Sequence, residues 1–321
     1  MFEPSRVPSA RISSVPILCA HRWPIAIIMS KNTVYRNFTQ DQLDRAYDQR
    51  SLVPDIDDYL SNETKGTERA RSNLPCRLNI PYGPSEAEFV DVYGQGDGTQ
   101  PILIFFHGGG WRMMSADNSG AAANGFVPAG AIFAVVNFAL APDVSLNEMV
   151  RQCRAATAFL HRNAAEFGGD GARIYVCGHS SGGHLAAMVA CTDWRAHFDL
   201  VKIPVKGLTA VSGLYDLEPV RLSARNDYLN LDIAAAMENS PARFLHRLAN
   251  QVIVAWGGKE LEEFQRQSAE FADAATRNGI PVRKIFIEDC HHFEMGAALY
   301  NKGGPIFAAM LDQMGLATTD D

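Results

Sequence analysis

The chain has 321 residues, 47% of them hydrophobic and 20% charged, and a formal net charge of −7. That length and balance suit a folded α/β protein with an ample core and argue against a disordered chain, and no stripe of Arg and Lys interleaved with aromatics points to nucleic acid. The six cysteines (Cys19, Cys76, Cys153, Cys177, Cys191 and Cys290) contain no C-x-x-C pair, which argues against a disulfide framework or a zinc knuckle and sets the expectation of a reducing, cytoplasmic location.

Residues 1–30 hold two apolar runs, broken by His21, Arg22 and the prolines Pro16 and Pro24. A secretion signal needs an unbroken apolar centre, and a membrane helix needs about twenty such residues. The stretch therefore reads as a disordered leader ahead of a start at Met29, with one α/β domain over 31–321 and no membrane as partner.

In the order of the chain, Thr39 to Asp48 has a capping residue and early acids, the signature of a short helix. A further helical stretch lies around Ile56–Leu60 in otherwise polar sequence. Leu78–Ile80 and Ala87–Tyr93 flank a Pro-Tyr-Gly turn as a hairpin. Pro101–Phe106 is wholly apolar, as in a parallel strand buried on both faces, and it runs into His107-Gly108-Gly109-Gly110-Trp111. Ile132–Asn137 is a second such strand, and Leu146–Glu166 an amphipathic helix. Arg173–Cys177 leads as a strand into Gly178-His179-Ser180-Ser181-Gly182, a G-x-S-x-G turn, and Leu185–Ala190 leaves it as a helix.

Later come a strand at Gly207–Ser212, an insertion over 213–241 with helical pieces, a strand at Gln251–Trp256 and a helix at Glu262–Asn278. A last strand at Val282–Ile287 and a closing helix at Pro305–Gly315 complete the pattern. Strands alternating with helices imply a mostly parallel sheet covered on both faces, with ligands at the carboxyl ends of the strands.

A serine on a strand-to-helix turn is an exposed nucleophile if a base, an acid and an oxyanion hole converge on it. The last strand ends near His291 and His292, either of which falls at the same sheet edge as Ser180. For the acid, Glu260 is best placed, behind the turn glycines Gly257 and Gly258. Asp216, one strand earlier, is a weaker candidate, and Asp289 lies too near the histidines in sequence. The backbone amides of Gly109, Gly110 and Ser181 form the candidate oxyanion hole. His107 is expected to brace the glycine loop, and His179 and His184 to be structural. The remaining histidines show no metal-ligand spacing, so neither metal nor cofactor is assigned.

From Asn37 to Leu311 the sequence resembles the arylformamidase (kynurenine formamidase) group of α/β-hydrolases and its bacterial esterase relatives. The motifs that carry the likeness are His107–Trp111, Gly178–Leu185, Gly213–Pro219, Asn239–Pro241, Glu263–Ser268 and His292–Met295. The resemblance implies an α/β-hydrolase fold with a small cap from the N-terminal segment and the 213–241 insertion. It selects His292, which stands directly before a phenylalanine, and so a triad of Ser180, Glu260 and His292. The family pattern has alanine where Ser181 stands, and aspartate followed by Ser-Pro where Glu260, Leu261 and Glu262 stand.

Trp111, Tyr215 and Phe293 are the candidate aromatic walls of a substrate site. The expected partner is a small molecule, with a homodimer left open. The implied activity is cleavage of a small aryl formamide or ester through an acyl-enzyme. A carboxylesterase for small aromatic or xenobiotic esters is one alternative, and a non-catalytic binding protein on a hydrolase scaffold is another.

Overall fold

The computed structural model describes residues 32–54, 56–201, 204–248 and 251–316. The leader expected over 1–30 lies outside them. The described chain opens with a small antiparallel ribbon, β1 (Thr33–Tyr35) and β2 (Phe38–Thr39), followed by α1 (Gln40–Ala46). Thr39 starts α1 through a capping box, with the Gln42 side chain reaching back to the Thr39 amide. Next, α2 (Asp57–Asn73) is far longer than the stretch expected around Ile56–Leu60. Its buried face is a narrow strip of Gly66, Thr67 and Ala70, with Gly66 set hard against Ala121. Small and polar residues do this packing, so no apolar period marks the helix in the sequence.

The main sheet has eight strands: β3 (Cys76–Pro81), β4 (Phe89–Tyr93), β5 (Gln100–Phe106), β6 (Ile132–Val136), β7 (Gly169–His179), β8 (Val205–Val211), β9 (Gln251–Gly257) and β10 (Val282–Ile287). Their order is β10-β9-β8-β7-β5-β6-β4-β3. Strands β5 to β10 are parallel to one another, while β3 and β4 join as an antiparallel edge. Alternation along β5 divides two cores, with Ile102, Ile104 and Phe106 facing one and Leu103 and Phe105 the other.

The helices between the strands are α3 (Ala123–Phe126), α4 (Leu146–Arg162), α5 (Ser181–Ala190) and α6 (Trp194–Phe198). After β8 the insertion forms α7 (Glu218–Leu222), α8 (Asn226–Leu229) and α9 (Ile233–Glu238), and α10 (Glu262–Arg277), α11 (His292–Ala298) and α12 (Pro305–Met314) follow. Helices α4, α5 and α10 supply the first core through residues such as Leu146, Leu185 and Phe264. Helices α3 and α12 supply the second through Phe126, Phe307 and Met310. This is the doubly covered, mostly parallel sheet of an α/β-hydrolase. No helix among the described residues is long and apolar enough to cross a membrane.

The insertion and the N-terminal helices meet over the carboxyl ends of the strands. The Gln40 side chain donates to the Leu222 carbonyl at 2.9 Å, and the Ala224 amide donates to Asp44 at 2.7 Å. Below them α5 lies unusually close to the sheet. A Cβ on Gly182 would fall 2.0 Å from the Phe106 carbonyl oxygen, and one on Gly178 would fall 2.3 Å from the Gly182 backbone. Backbone cannot move aside as a flexible side chain can. Gly182→Ala is therefore expected to destabilise the protein by about 3 kcal/mol or more, read as a fall of several degrees in Tm by calorimetry; an unchanged Tm would refute this account of the contact.

Candidate active site

Ser180 stands between β7 and α5 with φ 58° and ψ −126°, a backbone region that non-glycine residues rarely occupy. The Ser180 amide donates to the Val211 carbonyl at 2.9 Å, which ties the turn to the neighbouring strand β8. Its Oγ lies 2.9 Å from His292 Nε2.

His292 is the first residue of α11, and it is 3% exposed. Its Nδ1 lies 2.6 Å from Glu260 Oε1. Glu260 sits in the turn between β9 and α10, where its Oε2 accepts from Ser212 Oγ at 2.8 Å and from the Gly257 amide at 2.9 Å. A carboxylate only accepts, so these partners place the imidazole proton on Nδ1 and leave Nε2 free to accept from Ser180. Ser212 was not anticipated; its position one residue past β8 is the only trace it leaves in the sequence.

Burial sets the protonation of the pair. It pulls the His292 pKa down from 6.5 to about 3, helped by the positive charge of Arg225. Burial also raises Glu260, opposed by the hydrogen bonds from Gly257 and Ser212. The ring of Phe264 packs edge-on against the imidazole at 4.7 Å, and that of His179 lies 4.6 Å away. The arrangement is a neutral imidazole held between a hydroxyl and a carboxylate.

The other candidates lie elsewhere. His291 caps α11 through Nδ1 and meets the Tyr59 hydroxyl through Nε2 at 3.1 Å. Asp216 accepts from the Tyr35 hydroxyl at 3.3 Å and from the Glu218 amide, away from the imidazole. Asp289 pairs with Lys259 at the surface. No group of three His, Cys, Asp or Glu able to hold a metal occurs among the described residues.

Gly109 and Gly110 both have positive φ, 100° and 62°, and line a cavity of about 690 Å³ together with Ser180 and His292. Ser181 opens α5, so its N–H is one of the helix's unpaired first-turn donors. His107 braces the loop as expected. It is buried, its Nδ1 lies 3.0 Å from the Gly108 carbonyl, its ring stacks on Phe138, and burial lowers its pKa to about 4.

Comparison with known proteins agrees with this geometry. The BD-FAE family matches residues 90–221. A kynurenine formamidase of Danio rerio is 33% identical over 294 residues, covering 88% of this chain and 98% of the relative. The chain belongs to the kynurenine formamidase family. The relative from Salmo salar, also a kynurenine formamidase, is 30% identical over the same shares. Among solved structures, one assigned as a thioesterase from Silicibacter superposes with a TM-score of 0.73 at 26% identity, covering 83% of this chain and 98% of that one. An esterase of Pyrobaculum calidifontis, at 20% identity, a TM-score of 0.65 and coverage of 87% and 98%, shares the fold. As a kynurenine formamidase family member, the protein is an α/β-hydrolase that acts on amides or esters.

Two of the three aromatic walls expected from sequence are not walls in this family member. Trp111 is 1% exposed, and its indole N–H donates to His184 Nδ1 at 3.2 Å. His184 Nε2 in turn donates to the Asn239 carbonyl at 2.8 Å, a buried and neutral imidazole with its pKa lowered to about 4. Tyr215 is also 1% exposed and stacks on Phe271 at 4.0 Å. Both side chains are held inward by residues of α5 and α10, His184 and Phe271, that lie far away in sequence. Phe293 does line the cavity, with Tyr59 beside it at 5.6 Å between ring centroids.

Ser181 needs a further correction, because only its backbone N–H was expected to matter. Its Oγ accepts the backbone N–H of Trp111 at 3.2 Å, fastening the glycine loop to α5. Ser181→Ala removes that acceptor and leaves a buried amide unpaired, which costs about 1–3 kcal/mol. The variant is expected to lose several degrees of Tm and to turn over more slowly; equal Tm and equal kcat would show that the loop holds its shape without this bond.

Proposed function

We propose that the protein is a serine hydrolase that cleaves a small aryl formamide of the N-formylkynurenine type, or a comparable aryl ester, through an acyl-enzyme. The observation that carries this reading is the continuous hydrogen-bond chain Ser180–His292–Glu260 at the floor of the cavity.

In the proposed cycle His292 Nε2 takes the Ser180 proton as Oγ attacks the carbonyl carbon. The amides of Gly109, Gly110 and Ser181 receive the oxyanion. Glu260 stabilises the imidazolium without taking its proton. His292 then protonates the leaving amine or phenolate, and the acyl group stays on Ser180. Water, deprotonated by His292, attacks the acyl-enzyme, the bond to Ser180 Oγ breaks as His292 returns the proton to Oγ, and formate or the corresponding acid departs.

The leaving group must lie beside His292, which protonates it. The rings of Phe293 and Tyr59 line the cavity there, and they support a flat aromatic leaving group. The relatives named as kynurenine formamidases support the formamide. A Mycobacterium tuberculosis relative named as a carboxylesterase is 37% identical over 91 residues, about 28% of either chain, and supports the ester as the second reading.

Ser180→Ala is expected to abolish turnover and fluorophosphonate labelling. Glu260→Gln is expected to lower kcat/KM by ~10²–10⁴, and Asp216→Asn much less. Labelling that persists in Ser180→Ala, or the reverse ranking of the two acids, would overturn the assignments. Kynurenine release from N-formylkynurenine, set beside p-nitrophenyl acetate, butyrate and octanoate, decides between formamide and ester. Good ester turnover without kynurenine would leave a carboxylesterase, and a preference for octanoate would rule out a small acyl group.

The pH profile follows from the buried base. Only neutral imidazole can accept the Ser180 proton, and the His292 pKa is lowered to about 3. As pH falls through 6.5 the base stays unprotonated, so kcat/KM for p-nitrophenyl acetate is expected to stay level there and to decline only at more acidic pH. An acid limb centred at 6.5 or above would mean that the imidazole is solvated in the working enzyme.

A further inference from the structure

One wall of the cavity holds polar groups that the proposed cycle does not use. Gln49, just after α1, is 5% exposed, and both its side-chain oxygen and nitrogen are buried without a hydrogen-bond partner among the described residues. Such groups are rare in folded proteins, because each has given up water for nothing. Gln49 nevertheless lines the cavity.

Arg225, at the start of α8, lines the same cavity. Its Nε and Nη2 both donate to the Tyr47 carbonyl, at 3.1 and 2.7 Å, and its guanidinium lies over the Phe264 ring. These contacts hold the group in place and leave Nη1 facing the glycine loop, 3.2 Å from where a Cβ on Gly110 would stand. No carboxylate among the described residues forms an ion pair with it. The acids nearby are engaged elsewhere. Asp44 accepts from Gln40 and from the Ala224 amide, Asp48 caps the Arg50 amide, and Glu63 accepts from the Tyr300 hydroxyl.

We propose that Arg225 and Gln49 form a specificity subsite for a carboxylate carried on the leaving group of the substrate. The proposal rests on the hydrolase reading of the same cavity. A fixed guanidinium with a free N–H binds a carboxylate oxygen strongly and directionally, and the Gln49 amide N–H supplies a second donor. The Gln49 carbonyl then accepts from a neighbouring donor on the substrate, such as an ammonium group. The substrate class is an aryl formamide or aryl ester whose leaving group bears an acid, or an amino acid, within reach of the glycine loop.

The test uses two pairs, the first differing by the whole amino-acid group and the second in the carboxylate alone. N-Formylkynurenine is compared with 2′-formamidoacetophenone, and 4-acetoxybenzoate with 4-acetoxybenzamide. The full chain is expected to favour the carboxylate-bearing member of a pair it turns over by about tenfold or more in kcat/KM. Arg225→Met and Gln49→Leu are each expected to reduce that preference severalfold, chiefly through KM. Gln49→Leu should also raise Tm, because it removes two unpaired buried groups at nearly constant volume.

Absence of any preference in the wild type overturns the subsite, as does an equal loss on both members of a pair in the variants. A Tm that falls in Gln49→Leu with the preference intact makes Gln49 a structural residue and overturns its part. Failure of both formamides to react counts against the formamide reading alone, since the acetate pair still reports on the subsite.

Discussion

Helix α5 presents Ser180 to the cavity only because Gly178 and Gly182 bring two backbones into contact where any side chain would collide. That contact fixes the height of α5 over β5 and β7 and holds Ser180 at a backbone angle it would not adopt alone. The rest of the site is referenced to this point. The glycine loop leaves β5 and is fastened to α5 through Ser181, and through Trp111, His184 and Asn239 to the insertion. His292 and Glu260 reach the same point from the two strands on the far side of β8. Four loops, widely separated in sequence, therefore share one rigid datum.

The second constraint is electrostatic. A buried imidazole resists protonation, and a buried carboxylate resists ionisation, so placing the two side by side is costly unless each is satisfied. Here Glu260 accepts from Ser212, Gly257 and His292, which lets it carry the charge, while burial keeps His292 neutral. A glutamate in place of the aspartate usual to the family has one more methylene of reach, and in this chain its carboxylate meets the imidazole at hydrogen-bond distance. The substitution leaves the interaction intact.

On the proposed subsite reading, the cap adds selectivity at some expense in stability. The N-terminal helices and the insertion are tied by Gln40, Asp44 and Arg225, residues that reach across about half the chain. Yet the wall they build leaves both polar atoms of the Gln49 side chain with no partner among the described residues, whereas in the scaffold beneath both ring nitrogens of His184 are engaged, by Trp111 and by the Asn239 carbonyl.

Much of this protein was legible in its sequence. Apolar runs on both sides of glycine-rich turns marked the parallel strands, because a strand covered on both faces cannot carry polar residues. The glycine loop was legible because Gly109 and Gly110 take positive φ, and the G-x-S-x-G turn because Gly178 and Gly182 stand where a Cβ would meet backbone. The chain order of Ser180, Glu260 and the histidine pair followed from strand order, although choosing His292 over His291 needed the likeness to a family.

Tertiary structure decided what side chains do once elements pack. It put Trp111 and Tyr215 in the core, made α2 a long helix on a strip of small residues, and gave the Ser181 hydroxyl a partner 70 positions away. It also brought Arg225 to Tyr47 across 178 positions. A backbone motif is set by neighbours within a few residues, whereas the direction and partner of a side chain depend on surfaces that exist only after distant segments have met.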